Sequence, residues 1–177
     1  MDYGKLYFYT SAIRHWSPLL YQYQFESVIT DSLSFLHKNG CLNIYGFVIM
    51  PNQMHLILEQ VKANGRETPI ASMMKHTAHH FERFLLKEDP RAIEEFIVDW
   101  TSRKINFWQP HSDRFMLYTK KAIKQKLQYI HNNPLQERWM LVKNPVDYLY
   151  SSARFYETGH RNFSFLSHYE DWLNKQG

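Results

Sequence analysis

Gln53 and His55 stand two residues apart in the run Gln53-Met-His-Leu-Ile-Leu58, whose apolar, β-branched character reads as a strand. Side chains alternate along a strand, so Gln53 and His55 share one face while Met54 and Leu56 take the other. Their backbones lie roughly 7 Å apart, and the two tips can converge on one cation. An imidazole nitrogen and an amide oxygen then make a mixed donor pair, and the oxygen suits Mg²⁺ or Mn²⁺ better than softer metals. Tyr129 and Asn133 stand four residues apart, on and just after a segment whose Ile123, Leu127 and Ile130 recur at helical spacing. One helical turn, roughly 6 Å, separates them, so one helix can deliver a phenolic nucleophile and an oxygen ligand to the same metal. Pro134 disfavours helical geometry at Asn133 and places it at the helix end. A free phenol ionises near about pH 10 and needs help to act as a nucleophile at neutral pH. Lys126, one turn before Tyr129 on the same stripe, is the candidate for holding phenolate or phosphate charge. The plain alternatives are a hydrogen-bonded structural histidine and one ordinary tyrosine among 12.

The flanks of these residues decide against the plain alternatives. His55 lies within Met50-Pro-Asn-Gln-Met-His-Leu-Ile-Leu58, and Tyr129 opens Tyr129-Ile-His-Asn-Asn-Pro134. Together with Phe107-Trp-Gln-Pro-His-Ser-Asp-Arg114, Asp147-Tyr148 and Ser151-Ser152, these segments resemble the single-tyrosine transposases, in particular the REP-associated group. The resemblance runs from the first strand to about Tyr156. Those proteins are HUH endonucleases, named for a His-hydrophobic-His triplet on a strand; their tyrosine is followed four residues on by Gln or Asn. His55 matches the second His, Tyr129 the tyrosine and Asn133 the amide, while Gln53 stands where the first His belongs. The resemblance implies a divalent metal, Mg²⁺ or Mn²⁺, held by His55, Gln53 and Asn133 against a phosphate of single-stranded or hairpin DNA. It implies that the Tyr129 hydroxyl attacks the phosphorus, leaving a 5′-phosphotyrosine link and a free 3′-OH, and that a second 3′-OH can reverse the step. Related enzymes use the tyrosine in cis or from a partner chain, so a homodimer stays open. Gln53 leaves two readings standing: an enzyme, and a DNA-binding relative with weakened or lost catalysis.

The elements that must position these residues follow from periodicity. Residues 6–13 and 42–50 read as strands, 53–60 as a third after the Pro51-Asn52 turn, and part of 106–118 as a fourth. Helical spacing covers 22–38, which stops at Lys38-Asn39-Gly40, then 70–87 and 120–132. A short helix is expected around 91–99. The order is β-α-β-β-α-β followed by the tyrosine helix, which is the α+β, ferredoxin-like arrangement with an antiparallel sheet. One domain over 1–177 is expected, with an aromatic-rich extension from about 145 packed back on it. In that sheet the fourth strand lies two positions from the third, which puts His111 and Asp113 roughly 10 Å from His55, too far to replace the missing imidazole. His131 points about 200° away from Tyr129. His76 and His80 share a helix face without a visible third ligand, and read as a solvated pair.

Charge adds a partner. The whole chain carries +4, yet residues 103–126 alone carry +6, with Arg103, Lys104, Arg114, Lys120, Lys121, Lys124 and Lys126 against Asp113. A basic stretch leading into the Tyr129 helix is a candidate phosphate track, against the alternative of a solvated lysine face. No apolar run is long enough to span a bilayer, and no signal-peptide pattern opens the chain; the expectation is a cytoplasmic protein with no membrane partner. The single Cys41 fits a reducing compartment and a core position. An RNA-binding module is the other alternative on this fold. Tyr45-Gly-Phe-Val48 echoes the aromatic RNA-stacking motif, but it falls on the second strand rather than the third and lacks the preceding basic-Gly pair.

Overall fold

The computed structural model describes residues 2–175. Twelve strands and α-helices follow in order. They are β1 (Leu6–Ala12), α1 (Leu19–Gln22), α2 (Glu26–Lys38), β2 (Leu42–Met50), β3 (Gln53–Gln60), α3 (Pro69–Glu88), β4 (Ile97–Asp99), β5 (Lys104–Ile105), β6 (Asp113–Met116), α4 (Lys120–Asn132), α5 (Ala153–Thr158) and α6 (Tyr169–Asn174). The main sheet has the order β2-β3-β1-β6, and every neighbouring pair is antiparallel. This is an α+β fold with the expected central hairpin, β2 to β3, turning at Pro51-Asn52.

Each face of the sheet carries its own core. On one, α2 and α3 cover Tyr9, Ile13, Phe47, Ile49, Met54, Leu56 and Leu58, with Phe25 and Phe81 stacked 4.4 Å apart between them. On the other, Ile123, Leu127 and Ile130 of α4 lie against Leu6, Phe8, Tyr45, Val48 and Ile57. The alternation of β1 and β3 sorts their residues between these faces, as period two requires. Threonines start α3 and α4: the Thr68 hydroxyl accepts from the Ala71 N–H, and the Thr119 hydroxyl from the Ala122 N–H.

Several elements depart from the sequence reading. The helix expected from residue 22 starts at Glu26, because Gln24 takes a left-handed φ of 57° that breaks the turn after α1. The short helix expected around 91–99 is a 3₁₀ turn, Ala92–Phe96, leading into β4, which pairs with β5 in a separate two-stranded ribbon. The fourth strand of the main sheet is only four residues long, since Pro110 offers no N–H to a ladder. The C-terminal extension packs back along the free side of β2. Tyr148 donates its hydroxyl to the Ile49 carbonyl at 2.8 Å, the Ser152 N–H reaches Phe47 O at 2.9 Å and the Ser167 N–H reaches Ile44 O at 2.9 Å. One sheet edge is thereby covered, while β6 forms the other.

Candidate active site

His55 is the third residue of β3, between β2 and β1, on the face that α4 covers. Its residue exposure is 3%, and its ring stacks on Phe8 with centroids 5.6 Å apart. Nδ1 lies 2.7 Å from the Thr10 hydroxyl, whereas Nε2 is buried without a hydrogen-bond partner. Burial, reinforced by the nearby Lys126 charge, pulls the imidazole pKa down to about 4. His55 is therefore neutral at neutral pH. If its Nδ1–H donates to Thr10, Nε2 carries the lone pair a metal needs.

The helix reaches this point because β2 lets it come close. Gly46 sits at a bulge in the β2–β3 register, and a Cβ there would lie 2.6 Å from Leu127 Cδ2 and 3.2 Å from Ile130 Cδ1. With α4 so placed, the Tyr129 ring stands edge-on to His55 at 5.4 Å and to Phe8 at 6.0 Å. Tyr129 is 44% exposed, so the phenol borders both the buried imidazole and solvent. The Lys126 ammonium rests among three rings, 4.5 Å from the centroid of Phe8, 5.4 Å from Tyr129 and 5.7 Å from Phe115.

Asn133 is buried at the helix end, as Pro134 leads one to expect, but its backbone stays helical at φ −54° and ψ −43°. Its backbone N–H turns to Ile130 O, and its side-chain Nδ2 donates to the Tyr129 carbonyl at 3.1 Å, replacing the missing helical bond. Its Oδ1 accepts from Gln136 Nε2 at 3.1 Å. Gln53 is buried opposite Ala12, on the same face as His55 by the strand alternation.

Among the described residues no group of three His, Cys, Asp or Glu is arranged to hold a metal ion. The donors present fit a divalent cation in one respect: the orphaned, neutral Nε2 of His55 has a lone pair free to coordinate. Gln53 adds an amide oxygen on that face, and Asn133 Oδ1 has one lone pair left beside its bond to Gln136. The set is poor in charge, and Lys126 places a cation beside it.

The basic residues do not form one track. Arg103 and Lys104 sit on the exposed β4–β5 ribbon. Arg114 pairs with Tyr9 and so faces the α3 side of the sheet, away from Tyr129. Lys120 is held by Glu170 at 2.6 Å. Lys121 is exposed, and Lys124 lines a groove of about 680 Å³ with His131, Asn144 and Tyr156. Lys126 alone of the seven is seen against Tyr129. Asp113 is level with His55 but one strand beyond Thr10, which pairs with both. His131 binds the Ser152 hydroxyl at 2.8 Å, away from Tyr129. His76 and His80 line an open groove on α3.

Sequence reasoning missed Thr10, Phe8 and Phe115. Only the register of β1 brings them beside His55 and Tyr129. The signal available was the alternation Leu6, Phe8, Thr10, which assigns one face but not its neighbours.

A search of solved structures finds the same fold elsewhere. The chain superposes on a REP-associated tyrosine transposase bound to a REP hairpin with a TM-score of 0.60 and 20% identity, over 94% of this chain and 93% of that one. The chain has the fold of a REP-associated tyrosine transposase. A chain described as a transposase of Deinococcus radiodurans also matches, at a TM-score of 0.39 and 19% identity over 72% of this chain and 88% of that one. No family model matches the sequence, and no curated protein does. No helix among the described residues is long and apolar enough to cross a membrane.

Proposed function

We propose that this protein cuts and rejoins single-stranded DNA next to a hairpin, with Tyr129 as the nucleophile. The observation that carries this reading is the half-exposed Tyr129 phenol standing over a buried, neutral His55 whose Nε2 has no partner. The shared fold supports the reading, since that relative is itself bound to a REP hairpin.

The step balances without an outside reductant or energy source. Tyr129 Oη forms a bond to phosphorus, the P–O3′ bond breaks, and the phenolic proton passes through solvent to the leaving 3′ oxygen. The product is a 5′-phosphotyrosine and a 3′-OH, and an incoming 3′-OH reverses it. A divalent cation bound by His55, Gln53 and the remaining lone pair of Asn133 Oδ1 would supply charge neutralisation at the phosphate. Phe8 and Thr10 hold the imidazole in place, Asn133 fixes the last turn carrying Tyr129, and Lys126 offers a cation to developing phenolate or phosphate charge.

Incubation with hairpin-bearing single-stranded DNA and Mg²⁺ or Mn²⁺ tests the reading. A denaturation-resistant protein–DNA adduct is expected, stronger with Mn²⁺. Tyr129→Phe should abolish it while leaving DNA binding nearly intact, because only the nucleophilic oxygen is lost. Gln53 favours a second reading, a DNA-binding relative without chemistry. An adduct from Gln53→His but none from the wild type would select it.

A further inference from the structure

A second cavity lies on the sheet face away from Tyr129. It holds about 520 Å³ and opens beside β6, between β1, α3 and the segment 106–112. Tyr9 and Ser11 of β1 face it, Asn106, Gln109 and Ser112 line one wall, and Arg114 of β6 lines its outer side. Ile70, Met74 and Ala78 of α3 make the opposite wall together with Lys75, which is paired with Glu67, and no acidic residue among the described residues lines it. Ser11 is 1% exposed, and its hydroxyl has no hydrogen-bond partner of good geometry. Arg114 is exposed and forms no ion pair among the described residues. A cation at the mouth, amides on one wall and the Tyr9, Ser11 and Ser112 hydroxyls inside match an anionic ligand with a hydrogen-bonding edge. The volume is in the usual range for a nucleotide-sized ligand.

We propose that this cavity takes one unpaired nucleotide of single-stranded DNA, with its base inward and its phosphate on Arg114. The proposal rests on the DNA reading given above. The sheet separates the cavity from Tyr129, and β6 is the edge strand around which the two faces meet. Phe115 faces the Tyr129 side and the adjacent Arg114 faces the cavity, so a strand folding over this uncovered edge meets both. Phe115 is 54% exposed and gives such a strand a stacking surface on its way. Asn106 and Gln109 each present a donor and an acceptor, which suits a base edge.

The test measures fluorescence anisotropy with a hairpin oligonucleotide in which each unpaired flanking base is replaced in turn by an abasic residue. One position should weaken wild-type binding by about tenfold. The double variant Gln109→Ala, Arg114→Gln should erase the difference between intact and abasic DNA at that position. A flat scan with tight binding, or a difference that survives in the variant, overturns the cavity proposal and leaves the DNA reading intact. If no oligonucleotide binds, the DNA reading fails, and a second arm judges the cavity alone. The four deoxynucleoside 5′-monophosphates are titrated into ¹⁵N-labelled protein. Saturable shifts of the Ser11 and Gln109 amides uphold the cavity, and their absence at millimolar nucleotide overturns it.

Discussion

Two buried imidazoles meet α4 from different sides. His55 comes up from the sheet to Tyr129, while His131 leaves the helix towards the C-terminal segment, two residues and roughly 200° around from Tyr129. Burial brings both pKa values down to about 4, and both rings have a hydroxyl partner at close range. They differ in what the hydroxyl and the second nitrogen do. Ser152, the partner of His131, also accepts from the Phe47 N–H at 3.0 Å, so that bond stitches helix, sheet and tail together. At His55 the Thr10 bond fixes one nitrogen and leaves Nε2 buried and unspent. An unsatisfied buried nitrogen costs stability, and a structural histidine would not need one. The contrast separates a ring tied into packing by its hydroxyl from a ring with a buried nitrogen left over, which the proposed function assigns to a ligand.

Alanine substitution of the two residues should break the contrast most visibly. His55→Ala should lower the yield of the covalent Tyr129–DNA adduct by on the order of a hundredfold or more, while circular dichroism still reports a folded chain. His131→Ala should cost roughly 1–3 kcal/mol in urea unfolding through the lost bond to Ser152, with adduct yield per folded molecule unchanged. Equal losses of adduct in both variants would remove the functional distinction.

Acidification tests the part the two rings share. An unfolded histidine binds its proton near about pH 6.5, whereas His55 and His131 stay neutral in the fold until about pH 4. Between those values the unfolded chain binds more protons, so stability falls as the pH is lowered from 6.5 to 4 and the histidine contribution levels off below that. For the deeply buried His55 the loss is on the order of 3 kcal/mol. Urea melts at pH 7, 5.5 and 4 measure it, and His55→Gln and His131→Gln should each flatten the profile. A profile unchanged by both would mean that neither ring is buried in its neutral form.

How legible the site was depended on whether its residues were local or long-range in sequence. The run from Leu42 to Gln60 gave both strand boundaries, because a continuous apolar stretch broken by Pro51-Asn52 has one sensible reading. The Lys120–Asn132 helix was equally clear from Ile123, Leu127 and Ile130. The pairing of Thr10 with His55 was not legible, since strand register between distant segments depends on the whole sheet. The β4–β5 ribbon was hidden for another reason: two and three paired residues leave too short an alternation to detect. Charge was the least legible, because seven cations close in sequence fall on a ribbon, one sheet face and different sides of one helix.

Gln53 shares its strand face with His55 and sharpens what the His55 side can hold. A second imidazole two residues from His55 would add a nitrogen donor on the same face. Gln53→His should raise Mn²⁺ affinity on the order of tenfold by isothermal titration and increase adduct yield in parallel. An unchanged affinity would show that residue 53 does not face the ion.

The smallest expected effect concerns which side of α4 the DNA backbone follows. Each lysine that contacts a phosphate releases about one counterion, and its removal lowers the slope of log K against log salt by about one. Lys126 lies beside Tyr129, among the rings of Phe8 and Phe115, whereas Lys124 lines the groove on the His131 side. A backbone passing the His55 side therefore meets Lys126 and misses Lys124. Lys126→Gln should flatten the salt dependence of binding to hairpin DNA by about one unit, and Lys124→Gln should leave it as it was. The comparison uses binding without added divalent metal, so that any role of Lys126 in the chemistry does not enter. A slope that changes with Lys124 and not with Lys126 would move the DNA to the His131 side. The orphaned His55 nitrogen would then need another explanation than a scissile phosphate.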